Sequence, residues 1–214
     1  MPLVLPKLYV ILDAALLASS EIEIARRLAD AGVRLIQYRN KTAGAGELFR
    51  RSRELLEMLK PHSVRFIVND RPDVAYLAGA DGVHVGQEDL DVEQARRVIG
   101  REKWVGVSTH NLGQFQSAII TSADYVAVGP IFSTSTKANP DPVVGTALLR
   151  QVRPLTDKAI VAIGGITLER AAGVIEAGAD SLAVGSDILR AVDPGKRARQ
   201  YIDLLEPANH AATV

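Results

Sequence analysis

The segment Gln37-Tyr38-Arg39-Asn40-Lys41 sets an amide and two cations at alternate positions. It closes a mostly apolar run, Val33-Arg34-Leu35-Ile36, that reads as a β-strand. Strand side chains alternate between faces, so Gln37, Arg39 and Lys41 leave one way and Tyr38 and Asn40 the other. Two positive charges beside a hydrogen-bonding amide suit a substrate that carries a polyphosphate next to a polar ring. A solvated strand end, where Arg and Lys are common, is the plainer alternative.

Two acids add to this chemistry. Asp70, just after Asn69, and Asp89 each follow a short strand-like run. Carboxylates facing one pocket beside cations suit Mg²⁺ shared with a substrate phosphate, because Mg²⁺ keeps several waters and needs few protein ligands. Each acid also has a local explanation as a helix N-cap. Arg71-Pro72 follows Asp70, and a helical pattern follows Asp89. His84 sits mid-strand and reads as a pocket wall or a satisfied core histidine. Ser108 and His110 leave another strand end.

Gly164-Gly165 and Gly185-Ser186 offer backbone N–H groups that can approach an anion closely; tight turns are the alternative. Residues 131–145 form a long connection that carries Thr134, Ser135, Thr136 and Lys137 between Gly129-Pro130 and Pro140. Connections of that length are usually functional, and this one reads as a closing lid rather than a surface excursion.

The elements that must position these residues alternate along the chain. Strands are expected at 7–12, 33–39, 64–69, 82–85, 104–108, 125–129, 159–163 and 181–185. Several are continuously apolar, as parallel strands covered on both faces should be. Helical spacing of apolar residues appears at 21–31, 46–59, 91–99, 112–120, 147–155 and 168–177. An internal repeat supports the pattern. Ala-Gly-Ala-Asp-Gly-Val-His-Val-Gly at 78–86 matches Ala-Gly-Ala-Asp-Ser-Leu-Ala-Val-Gly at 177–185, and Ala-Asp-Tyr-Val-Ala-Val-Gly at 123–129 keeps the later part. Each copy is a helix end, a tight turn, a strand and a glycine exit. The expectation is α/β: a single (β/α)8 TIM barrel over residues 1–206, with phosphate-binding loops after strands seven and eight and a flexible tail at 207–214. An open doubly wound sheet would more often carry a Gly-x-Gly-x-x-Gly turn after its first strand, and Leu12-Asp13-Ala14-Ala15 is not one.

Bulk composition narrows the classes. The 214 residues are 47% hydrophobic and 23% charged, with 25 basic and 25 acidic side chains. That balance gives no reason to expect nucleic acid as a partner. No cysteine is present, which removes disulfides and thiolate chemistry. No apolar run reaches the length of a membrane span, and Asp13 interrupts any leader-like stretch at the N-terminus. A cytoplasmic protein acting on phosphorylated small molecules is expected. Self-association into a homo-oligomer stays open.

The ordered motifs resemble those of the thiamine-phosphate synthase (thiamine-phosphate pyrophosphorylase) family over nearly the whole chain. They are Gln37-x-Arg39-x-Lys41, Asn69-Asp70, Gly82-Val-His-Val-Gly-Gln-x-Asp89, Gly106-Val-Ser108-x-His110, Gly129-Pro-Ile-Phe-x-Thr134-x-Thr136-Lys137 and Ile163-Gly-Gly-Ile166. The resemblance implies a transferase. It would join a hydroxymethylpyrimidine diphosphate to a thiazole phosphate, giving thiamine phosphate and pyrophosphate. It implies that Gln37 and Ser108 contact the pyrimidine and that Tyr38 and Asn40 also bind the pyrimidine diphosphate. Arg39, Lys41, Asn69 and Lys137 would hold the diphosphate, with Arg39, Lys41 and Lys137 as the catalytic cations. Asp70 and Asp89 would bind Mg²⁺. Thr134, Ser135, Thr136, Gly165, Gly185 and Ser186 would bind the thiazole phosphate. Ser133, Gly185 and Asp187 depart from the family pattern, and Asp187 adds a negative charge near the phosphate end unless it points away. Two other readings fit the same barrel: a thiazole tautomerase-like isomerase using His110, and a non-catalytic sensor of a phosphorylated ligand. Gln37, Arg39, Lys41, Asn69, Asp70 and Asp89 together argue against the first, and Lys137 with both aspartates argues against the second.

Overall fold

Valine, isoleucine and leucine dominate eight short runs, and each run becomes a parallel strand: β1 (Leu8–Asp13), β2 (Leu35–Arg39), β3 (Arg65–Asn69), β4 (Gly82–Val85), β5 (Trp104–Thr109), β6 (Tyr125–Val128), β7 (Ala159–Ile163) and β8 (Ser181–Val184). The structure is a computed structural model, and it describes residues 3–134 and 141–206. The strands follow chain order round a closed barrel, with β1 paired to β8. Each crossover runs through helix: α1 (Glu21–Asp30), α2 (Ala45–Leu59), α3 (Pro72–Ala78), α4 (Val92–Ile99), α5 (Leu112–Ile119), α6 (Gly145–Val152) and α7 (Leu168–Glu176), with α8 (Ser186–Leu189) and α9 (Pro194–Leu205) after β8. The expected (β/α)8 architecture is what the chain adopts.

Strand alternation divides the core in two. One set, including Val10, Ile36, Val68, Val83 and Val126, packs against the helices. The other, including Tyr9, Ile11, Leu35, Ile67, Tyr125 and Val161, fills the barrel interior. This is why the strands read as unbroken apolar runs.

The acid of the internal repeat has a structural task. Asp81, Asp124 and Asp180 each enter an even-numbered strand and reach across to the odd-numbered strand before it. Their carboxylates accept from Phe66 N at 2.8 Å, Val105 N at 2.7 Å and Ile160 N at 2.8 Å. Their own N–H groups return bonds to the same three residues' carbonyls. Arg65, Arg96 and Arg153 pair with the three acids in turn. Each clasp pins strand register at the N-terminal end of the barrel. The opposite end is left for loops and polar side chains.

Candidate active site

The C-terminal strand ends enclose a cavity of about 360 Å³, within the range that holds a small ligand. One wall is charged. Gln37, Arg39 and Lys41 reach it from β2, Asn69 and Asp70 from β3, and Asp89 from the loop after β4. Arg39 donates to Asp13 Oδ2 at 2.5 Å, and Asp13 is buried at the end of β1 with Oδ1 accepting from Ala15 N at 3.1 Å. Lys41 pairs with Asp70. Asp70 adopts a left-handed backbone, φ 63°, and its N–H bonds His84 O at 2.7 Å. Such a conformation is uncommon for a residue with a Cβ, and here it turns the carboxylate toward the cavity and Lys41.

Neither acid caps a helix. Arg71 occupies the N-cap position of α3 and makes no side-chain cap bond, while Asp91 and Gln94 cap α4 reciprocally. Asp89 instead accepts from Gly86 N at 2.8 Å. Burial raises its proton affinity, the neighbouring Asp70 carboxylate adds to the rise, and Gly86 N–H and Lys41 oppose it. Two carboxylates brought together against that cost form a donor set that suits a hard cation. Among the described residues no group of three or more His, Cys, Asp or Glu could hold a metal. With waters and phosphate oxygens completing the shell, the pair would suit Mg²⁺.

The opposite wall is built of backbone. Gly164 and Gly165 have φ of 103° and 62°. A Cβ on Gly164 would lie 2.6 Å from Pro130 Cα, and one on Gly165 would lie 2.4 Å from Ser133 O. Only glycine lets the β7 exit lie this close to the segment after β6. Gly165, Gly185 and Ser186 line the cavity beside Thr134. No side chain caps α8, whose first turn opens beside them. Asp187 points away: it accepts from Arg197 Nε at 2.9 Å and from Tyr201 Oη at 2.7 Å.

Three comparisons bear on this arrangement. The family model described as thiamine monophosphate synthase matches residues 8–188. The chain belongs to that family. It is 50% identical over 206 residues to a thiamine-phosphate synthase of Koribacter versatilis, covering 94% of this chain and 96% of the relative. It is 43% identical to one from Chloroflexus aurantiacus, covering 96% and 95%. A solved thiamine phosphate pyrophosphorylase of Pyrococcus furiosus superposes with a TM-score of 0.85 at 33% identity, covering 94% and 96%.

Most residues expected from the thiamine-phosphate synthase resemblance meet in the one cavity: Gln37, Arg39, Lys41, Asn69, Asp70, Asp89, Ser108, Thr134, Gly165, Gly185 and Ser186 all line it. Tyr38 and Asn40 do not. Alternation turns them to the helix layer, where Tyr38 donates to Glu21 at 2.9 Å and accepts from Asn40 at 3.2 Å. Asn40 Oδ1 also holds the turn into α2 through Thr42 N and Ala43 N. Their side chains are thus engaged in holding the strand end and the turn into α2, and neither lines the cavity. Ser135, Thr136 and Lys137, with the centre of the expected lid, lie outside the described residues. A Cβ on Gly185 would make only ordinary contacts, 3.5 Å from Ile11 O, so that departure leaves the wall intact.

Sequence reading missed Asp13, the partner of Arg39. Its signal was a lone acid ending an apolar strand. His84 is both things expected of it: it lines the cavity, and both ring nitrogens are bonded, Nε2 to Ser108 Oγ at 2.8 Å and Nδ1 to Tyr125 Oη at 3.2 Å. Burial pushes its pKa down to about 4, against the opposing pull of Asp89, so the ring is neutral at neutral pH.

Proposed function

We propose that this protein is a thiamine-phosphate synthase that condenses an aminopyrimidine-methyl diphosphate with a thiazole phosphate. The observation that carries the reading is the convergence of Arg39, Lys41, Asp70 and Asp89 on one wall, opposite the glycine wall of β7 and β8. The first wall suits a diphosphate and the second a monophosphate. The space between suits two rings.

In the reaction the methylene C–O bond breaks and its electron pair leaves on pyrophosphate. The thiazole nitrogen then donates its lone pair to the methylene carbon. The amino group of the pyrimidine feeds charge into the ring and stabilises the carbocation between these events. No proton need move for the bond to form, so no general base is assigned. The protein's task is to stabilise negative charge growing on the leaving group. Arg39 and Lys41 do this, with Lys137 assigned the same role by family position. Asp13 and Asp70 hold Arg39 and Lys41 ready before substrate enters. Mg²⁺ held by Asp70 and Asp89 would supply further charge neutralisation there. By family position Asn69 is assigned to the diphosphate, Gln37 and Ser108 to the pyrimidine, and Thr134, Gly165, Gly185 and Ser186 to the thiazole phosphate; their common place in the cavity lining supports this.

Among the described residues no helix is long and apolar enough to cross a membrane. With no cysteine and no charge excess, a cytoplasmic setting and small phosphorylated partners remain the reading. The test is pyrophosphate release on mixing both substrates with Mg²⁺. Release that requires both supports the proposal. Isomerisation of the thiazole phosphate without pyrophosphate would favour the tautomerase-like reading. Ligand binding without turnover would favour a sensor.

A further inference from the structure

At and below the cavity floor, five side chains form one continuous hydrogen-bonded chain across the barrel interior. Gln37 Nε2 donates to Tyr9 Oη at 2.7 Å. The Tyr9 and Tyr125 hydroxyls are 3.0 Å apart. Tyr125 Oη lies 3.2 Å from His84 Nδ1, and His84 Nε2 lies 2.8 Å from Ser108 Oγ. Tyr9 and Tyr125 are fully buried and do not line the cavity, whereas both ends of the chain do.

A hydroxyl has one proton but can accept twice, so the first bond sets the order of the rest when every proton in the chain is bonded. Tyr9 Oη receives the Gln37 proton and passes its own to Tyr125. Tyr125 passes its own to Nδ1. The neutral imidazole then carries its proton on Nε2 and donates it to Ser108. Two groups remain for the cavity: Gln37 Oε1, an acceptor, and the Ser108 hydroxyl proton, a donor.

We propose that Tyr9, Tyr125 and His84 are positioning residues that hold Gln37 as an acceptor and Ser108 as a donor, and so select an aminopyrimidine over its oxo analogue. An aminopyrimidine offers an exocyclic N–H and a ring-nitrogen lone pair, the complement of that pattern. An oxo ring offers a carbonyl and a ring N–H. To bind it, the Gln37 amide must turn over and every proton in the chain must move together. Partial reversal sets two donors face to face in a buried site. The selection rests on the reaction proposed above, because that reaction places a pyrimidine between Gln37 and Ser108.

The barrel gives up a side chain to build this chain. His84, Gly106 and Tyr125 are neighbours across β4, β5 and β6. A Cβ on Gly106 would lie 2.0 Å from Tyr125 Cζ and 2.4 Å from its hydroxyl. The phenol occupies the space that any other residue at 106 would need. His84 stacks on it at 5.6 Å between centroids, and Tyr9 meets it edge-on at 6.1 Å.

Two measurements test the proposal. The first is ¹⁵N NMR of the histidine side chains in the wild-type protein. The expected result is a neutral His84 in the Nε2–H tautomer; the Nδ1–H tautomer would overturn the polarity whatever the reaction is. The second compares amino- and oxo-pyrimidine diphosphates as substrates of Tyr9→Phe and Tyr125→Phe, which keep the rings and remove single hydroxyls. The expected result in each folded variant is a fall of roughly tenfold in the amino-over-oxo ratio of kcat/KM, with the KM for thiazole phosphate kept within about twofold. An unchanged ratio in a folded variant overturns the proposal, and either variant suffices if the other does not fold. Absence of pyrophosphate release by the wild type would instead overturn the reaction and the substrate assigned to the chain, while the tautomer would still judge its polarity.

Discussion

Arg39 and Lys41 carry charge into a site that already holds two partners for them. Asp13 is buried and ends β1, so it fixes the Arg39 guanidinium with little freedom. Asp13→Asn is expected to lower kcat/KM for the pyrimidine diphosphate by about tenfold and to leave the KM for thiazole phosphate unchanged, since only the charged wall is disturbed. A steady-state comparison with each substrate varied in turn checks this. Gln37, Arg39, Asn69 and Asp70 were legible in the sequence because strand alternation and strand ends are local features. The same alternation turns the Tyr38 and Asn40 side chains to the other face, as the strand pattern predicts. The pairing of Asp13 with Arg39 and the Tyr9–Tyr125 contact were not legible. Their partners lie 26 and 116 residues away, and only barrel closure brings them together.

The strands were readable nearly to their ends because several are apolar on both faces and the rest turn polar only near their ends. Three helices were not. Pro72–Ala78 and Ser186–Leu189 are too short to show a period, and Pro194–Leu205 announces itself mainly by its Asp193-Pro194 start. The repeat showed where turns fall but not what its acid does. Asp124→Asn removes the charge that serves both Val105 N and Arg96. Because this acid is one-third exposed, the expected loss is about 1–2 kcal/mol of unfolding free energy, read from urea denaturation. Turnover of the remaining folded protein should be unaffected, since the clasp lies at the far end of the barrel. At the other end, Gly165→Ala forces a Cβ against Ser133 O in a left-handed conformation. It should raise the KM for thiazole phosphate several-fold while leaving that for the pyrimidine diphosphate alone. Equal effects on both substrates would mean that the two walls do not act separately.

For the molecule as a whole, α9 completes what the eight strands begin. It packs on α1, α7 and α8 and buries Tyr201, whose hydroxyl bonds Asp187. The acid that adds charge beside the expected phosphate site is thereby turned to the helix layer and matched by Arg197. A chain ending before Pro194 should lose its sharp thermal transition, because the apolar faces of α1 and α7 are uncovered. A sharp melt at the wild-type midpoint would show the barrel closed without it. The closed barrel also explains the site: residues scattered from position 13 to 186 become neighbours only because each ends a strand at the same rim.

The most direct test of that convergence is the rate of pyrophosphate release from both substrates with and without Mg²⁺, in wild type, Asp70→Asn and Asp89→Asn. The account predicts Mg²⁺-dependent release by the wild type and a loss of about 10²–10³-fold in each variant with the fold retained. Metal-independent release, or wild-type rates in both variants, would contradict it.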